Sequence, residues 1–185
     1  MVRLCLSLAL FLSPAVAQAQ VTLEAPLRFL DIAPNNPNTL YAIPTLGLLR
    51  SSDAGLTWTH IPILSPNAQP PALNSLAFSP QSASTFFVCG GFTGNALLWR
   101  TVDAGLNFSA LSSGLPAAPG RACEHIDAFG SALYAQLSGG PNGNWEIFKS
   151  TNNGDSWSLV GAAPRRVYIS PSSPNVMFYP SGVTI

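Results

Sequence analysis

The chain has 185 residues, of which 47% are hydrophobic and only 9% charged, and its eight basic and eight acidic side chains give a net charge of +0. That apolar content excludes intrinsic disorder, and without a basic excess neither nucleic acid nor an anionic membrane surface is an expected partner. With charge so scarce the surface must be made of Ser, Thr, Asn, Gln, Pro and Gly, and 17 prolines with 15 glycines fit many short strands joined by turns.

The N-terminus reads as an export signal over residues 1–19. Arg3 supplies a positive start, Leu4 to Leu12 an apolar run, and Ala17-Gln18-Ala19 a small-x-small cleavage site. The run is too short for a membrane helix, which needs about 20 apolar residues, and Cys5 stands at the wrong place for lipid modification. No other stretch could span a bilayer. The mature chain, from Gln20, is therefore predicted to be soluble and secreted or periplasmic.

From about Leu27 the sequence falls into repeats of four apolar segments. The first covers residues 27–64, with strands predicted at Leu27–Pro34, Thr39–Ile43, Gly47–Ser51 and Trp58–Ile63. The second covers 73–112, with Leu73–Pro80, Thr85–Cys89, Ala96–Thr101 and Phe108–Leu111. The third covers 122–161, with Cys123–Phe129, Ala132–Leu137, Trp145–Ser150 and Trp157–Val160. A fourth, 165–185, shows only Arg166–Pro171 and Val176–Tyr179. Pro34–Asn38 and Pro171–Asn175 are near copies, and proline marks them as turns.

One signature recurs between the third and fourth segments: Ser51-Ser52-Asp53-Ala54-Gly55-Leu56-Thr57-Trp58, then Thr101 to Phe108, then Ser150 to Trp157. Asp53 and Asp103 are 50 positions apart, Asp103 and Asn152 49. A period of this length in strand-rich units implies a repeat architecture such as propeller blades. The glycines Gly55, Gly105 and Gly154 can take positive φ. Asp53, Asp103 and Asn152 can accept hydrogen bonds from turn N–H groups, and Ser51, Thr101 and Ser150 can do so more weakly. Trp58, Phe108 and Trp157 bury a ring beneath the turn. Because Asn152 keeps the acceptor oxygen but not the charge, local hydrogen bonding, rather than metal binding or catalysis, is the predicted role.

The pattern S/T-x-D/N-x-G-x-x-W/F resembles the Asp-box, or BNR repeat, of sialidases, xyloglucan-active glycosidases, sortilin-type ectodomains and photosystem II assembly factors. The resemblance implies an all-β fold, a β-propeller of four-stranded antiparallel blades with Asp-box hairpins, over residues 20–185. It also implies that the boxes lie away from any active centre. About three and a half blades are present, whereas a ring needs roughly 4–8. A fragment of a longer reading frame is the favoured explanation; self-association to complete the ring, and a half-ring with exposed edges, are the others.

Candidates for chemistry are few. First strands line the channel of a propeller, and Asp31 and Asp127 fall at matching first-strand positions, so they are the candidate catalytic carboxylates; Glu24, Glu124 and Glu146 are the other acids outside the boxes. Hydrogen bonding to nearby backbone is the commoner role for such groups. The F/Y-R-I-P motif of sialidases is replaced by Leu27-Arg28-Phe29-Leu30, and the glycine-rich stretch of the xyloglucan-active enzymes has no counterpart. Neither His60 nor His125 has partners at metal-ligand spacing, and phosphate-loop and dinucleotide motifs are missing, so neither metal nor cofactor is expected. Arg28, Asn74, Glu124 and Arg165 align near the first-strand starts and would form a polar funnel for a ligand. Trp99 and Trp145 could offer sugar-stacking faces, although blade core suits them better. Cys89 and Cys123 remain after signal removal; a disulfide across neighbouring blades and a pair of buried free thiols are both open. The expected function is that of a secreted, non-catalytic module binding a protein or glycan. A glycoside hydrolase and an assembly factor of the photosystem II type are the alternatives.

Overall fold

The structure is a computed structural model and describes residues 26–45, 47–63, 72–91, 97–116, 120–170 and 173–178. The predicted export segment lies outside them. The described residues form strands and turns, with one 3-10 turn at Pro141–Gly143.

The strands group in fours. β1 (Phe29–Ile32), β2 (Leu40–Ile43), β3 (Leu48–Ser51) and β4 (Thr59–Ile61) make an antiparallel sheet in chain order. β5 (Ala72–Phe78), β6 (Phe86–Gly91), β7 (Leu98–Thr101) and β8 (Ser109–Leu111) repeat that meander. So do β9 (Ala122–Phe129), β10 (Ala132–Ser138), β11 (Trp145–Ser150) and β12 (Ser158–Ala163). A single pair, Gly91 opposite Ala122, joins the second and third sheets. β13 (Tyr168–Ser170) and β14 (Ser173–Phe178) pair as the start of a fourth. β14 contains Pro174, where the sequence predicted a turn. Among the described residues β14 pairs only with β13, and a strand with an unpaired side tolerates the missing N–H.

The sheets stack face to face, which is why their inner strands read as nearly continuous apolar runs instead of alternating ones; all four residues of β2 are buried. Tyr41, Ile43, Leu48 and Ile61 of the first sheet meet Leu76, Phe86, Val88 and Trp99 of the second. Phe87, Cys89 and Leu111 of the second meet Cys123, Ile126, Ala135 and Trp157 of the third. Successive residues Phe86, Phe87 and Val88 therefore serve alternate seams, as the period-two geometry of a strand requires. Tyr134 and Ile147 continue the series against Val167 and Ile169. Full burial of one such side chain contributes about 1.5–3 kcal/mol, so the seams dominate stability. Trp99 is core, whereas Trp145 is half-buried.

The three recurrent turns share one bonding scheme. The Ser51 hydroxyl accepts from the Gly55 N–H at 2.8 Å and donates to Asp53 Oδ1 at 2.7 Å. Asp53 Oδ1 also accepts from the Thr57 N–H at 2.8 Å. Thr101, Asp103 and Asn107 repeat these bonds, as do Ser150, Asn152 and Ser156. The indole N–H groups of Trp58 and Trp157 close the turn on the carbonyls of Gly55 and Gly154. Positive φ is not confined to glycine: Ala54, Ala104 and Asn153, one position earlier, have φ of 58°, 57° and 57°.

Candidate functional site

The first strands of successive sheets carry the polar groups. β5 lies beside both β1 and β9, and a β-bulge sits at the same place in β5 and β9. Leu73 and Ser75 pair with consecutive residues of β6, leaving Asn74 extra; Cys123 and His125 pair with consecutive residues of β10, leaving Glu124 extra. A bulge re-aims the extra side chain. Here it aims both along the seam and into contact.

Arg28 Nη1 donates to Asn74 Oδ1 at 2.9 Å. Asn74 Nδ2 donates to the Cys123 carbonyl at 3.0 Å and to Glu124 Oε2 at 3.4 Å. The Ser138 hydroxyl donates to Glu124 Oε1 at 2.7 Å. Three of the four funnel residues thus form one bonded row across three sheets, from an exposed guanidinium to a half-buried carboxylate. Arg165 does not join it. Arg165 and Arg166 are both exposed on the link into β13, and it is Arg166 that reaches the first strands, with Nη2 2.9 Å from His125 Nε2.

Beside the row is a cavity of about 230 Å³ lined by Phe29, Asp31, Phe78, His125, Asp127 and neighbouring residues. The two candidate carboxylates therefore share one cavity, although 96 positions separate them in sequence. Their surroundings differ. Asp127 Oδ1 is 3.0 Å from His125 Nε2, while Asp31 Oδ1 accepts from the Ile32 N–H at 2.8 Å and pairs with no cation among the described residues. Glu146 is paired with Arg121 away from the cavity lining. Sequence reasoning weighed His125 only as a metal ligand, and it missed Ser138 and Arg166. Only the bulge and the stacking bring them in, and the pattern of apolar residues signals neither. Among the described residues no group of three or more His, Cys, Asp or Glu could hold a metal ion, and no helix is long and apolar enough to cross a membrane.

Two carboxyls in the turns and one buried thiol are shifted from their ordinary values. Hydrogen bonds from the side chain and backbone of Thr57, then from Ser51, hold the Asp53 carboxyl down at about 2. Asn107 and then Thr101 do the same for Asp103. Burial pushes the Cys89 thiol well above its ordinary value. Cys89 and Cys123 are both free, buried thiols in this structure.

No family model and no curated protein matches the chain. Solved structures do. A GH74 enzyme from Niastella koreensis superposes with a TM-score of 0.63 at 22% identity, over 80% of this chain and 24% of that one. The GH74 xyloglucanase from Xanthomonas campestris gives 0.59 at 20%, over 83% and 26%. YCF48 bound to a D1 peptide gives 0.59 at 18%, over 80% and 46%. The chain thus spans about a quarter of the GH74 proteins and under half of that YCF48 chain. At these identities the likeness is one of fold, and it agrees with the stacked four-stranded meanders: the molecule is an incomplete β-propeller.

Proposed function

We propose that this chain is an exported, non-catalytic interaction module that binds an extended peptide segment of a partner protein along its first strands, with a basic side chain of the peptide held in the cavity between Asp31 and Asp127. The observation that carries this reading is the row Arg28–Asn74–Glu124 beside that cavity. A guanidinium at one end and a carboxylate at the other, joined by an amide, offer donors and acceptors in line. An extended backbone presents the complement, alternating C=O and N–H. At about 230 Å³ the cavity is below the roughly 300–1,000 Å³ of pockets that enclose drug-sized ligands. It has room for one side chain rather than an oligosaccharide. Phe29 and Phe78 suit an alkyl stem, and Asp31 a cationic head. The YCF48 structure with its D1 peptide shows that a propeller of similar fold can hold a peptide.

A peptide library displayed against the full chain tests the reading. Enriched sequences are expected to carry Lys or Arg at one position. Their binding falls about tenfold or more with Arg28→Ala or Asp31→Asn, and is unchanged with Arg165→Ala. No enrichment, or equal loss with all three variants, refutes it.

The shared cavity of Asp31 and Asp127 favours a second reading, a glycoside hydrolase, which the GH74 likeness of fold also suggests. Turnover of a xyloglucan oligosaccharide that Asp31→Asn or Asp127→Asn abolishes would establish it in place of the first. We read the three turns as Asp-boxes, on their common bonding scheme, and residues 1–19 as the export signal; N-terminal sequencing of the exported protein should begin at Gln20.

A further inference from the structure

We propose that Cys89 and Cys123 form a disulfide that staples the second sheet to the third. Cys89 lies on β6 and Cys123 on β9, the two strands joined by the Gly91–Ala122 pair. Each points into the seam between its sheets, and both belong to one core cluster with Phe87, Ile126 and Ala135. The Cys89 thiol donates to the Cys123 carbonyl at 3.4 Å, which sets its sulfur against the Cys123 residue inside that cluster. The bulge at Glu124 matters here. It lets Cys123 and Ile126, an odd number of positions apart, face the same seam, and so brings Cys123 to the side where Cys89 waits.

Oxidation removes one hydrogen from each sulfur and joins the two. With glutathione disulfide as the oxidant, the two electrons and two protons leave as two molecules of reduced glutathione. Both thiols have zero exposure, and burial disfavours the attacking thiolate of Cys89. The bond must therefore form while the seam is still open, during folding, and the reduced native protein should resist oxidation. The cross-link closes a loop of about 34 residues, long enough for its restriction of the unfolded chain to stabilise the fold.

The test uses the full chain carrying Cys5→Ser, so that only these two thiols remain. It is unfolded in denaturant and refolded with either reduced glutathione alone or a mixture with glutathione disulfide, then denatured, alkylated with iodoacetamide and weighed. Refolding in the mixture is expected to give protein about 2 Da lighter than the reduced chain with no alkyl adduct. Refolding in reduced glutathione gives two adducts. Native reduced protein exposed to glutathione disulfide keeps both adducts for hours. The oxidised form is expected to melt about 5–10 °C above the reduced form. Two adducts or glutathione mixed disulfides after refolding in the mixture would overturn the proposal. So would an oxidised form that melts no higher than the reduced one. Because wild-type cysteines are compared in two redox states, failure of a cysteine variant to fold cannot obscure the result.

Discussion

The Tyr41 hydroxyl donates to the Ala104 carbonyl, 3.0 Å away and 63 positions further along the chain. This bond ties the second strand of one sheet to the turn of the next. At the following seam Phe87 takes the place of Tyr41 and has no hydroxyl. There Arg100, its cross-strand partner, donates to the carbonyl of Asn153, the counterpart of Ala104, at 2.8 Å. One carbonyl, exposed by the left-handed backbone of the turn, is satisfied by two different donors. Tyr41→Phe should therefore cost about 1 kcal/mol and lower the Tm by about 2–4 °C, measured by calorimetry. An unchanged Tm would mean that this carbonyl needs no partner.

The turn glycines differ in what lies over them. All have positive φ, but a Cβ on Gly55 would meet only Trp58 at 3.8 Å, whereas one on Gly105 would meet Ile61 at 3.0 Å and Phe86 at 3.4 Å. Gly55→Ala should cost about 1–2 kcal/mol, the strain of a left-handed alanine. Gly105→Ala adds overpacking of the seam, worth about 1–3 kcal/mol more. Urea denaturation of the pair gives the order, and equal losses would contradict the seam contact.

Acid should loosen the first two turns, where a carboxylate is the central acceptor; in the third Asn152 takes that place. The Asp53 and Asp103 carboxyls titrate at about 2 in the fold and near 3.8 when unconstrained. Between these values the unfolded chain binds more protons, so their contribution is complete above about pH 4 and is lost as the pH falls through about 2. Asn152 has no such dependence. The double variant Asp53→Asn/Asp103→Asn should show a flatter Tm profile from pH 4 to pH 2 than the parent; parallel profiles would assign acid lability to other groups.

Gln136 is a buried clamp on the entry to the fourth sheet. Its Nε2 donates to the Val167 carbonyl and its Oε1 accepts from the Val167 N–H, both at 2.8 Å. Gln136→Leu keeps most of the volume and strands both backbone groups, at a cost of about 2–5 kcal/mol. Hydrogen exchange should show the Val167 amide losing protection far more than amides of the first sheet. Uniform loss would mean that the clamp holds the whole molecule and not this joint.

The four-strand repeats and the aligned row Arg28, Asn74 and Glu124 were legible because turns recur at a fixed spacing and counting from them puts equivalent residues in register. Arg165 aligned equally well yet stays out of the row; on the link into β13 it is Arg166 that reaches across, to His125. The residue after the turn glycine by two positions was also overlooked. Thr57 and Asn107 donate their side chains to the second carboxylate oxygen. In the third turn the polarity reverses, and Asn152 Nδ2 donates to the Ser156 hydroxyl. Serine can accept where the carboxylate is gone, which is how the third turn keeps its shape without a charge.

Sequence alone determined the period, the turn chemistry and the apolar strands, because each depends on residues within a few positions of one another. Tertiary structure decided that Asp31 and Asp127 share a cavity, that Asn74 and Glu124 stand on bulges, and that Cys89 faces Cys123. Those relations join residues 34 to 96 positions apart. They exist only once sheets stack, and a bulge that changes which face a side chain takes leaves no mark on the pattern of apolar residues.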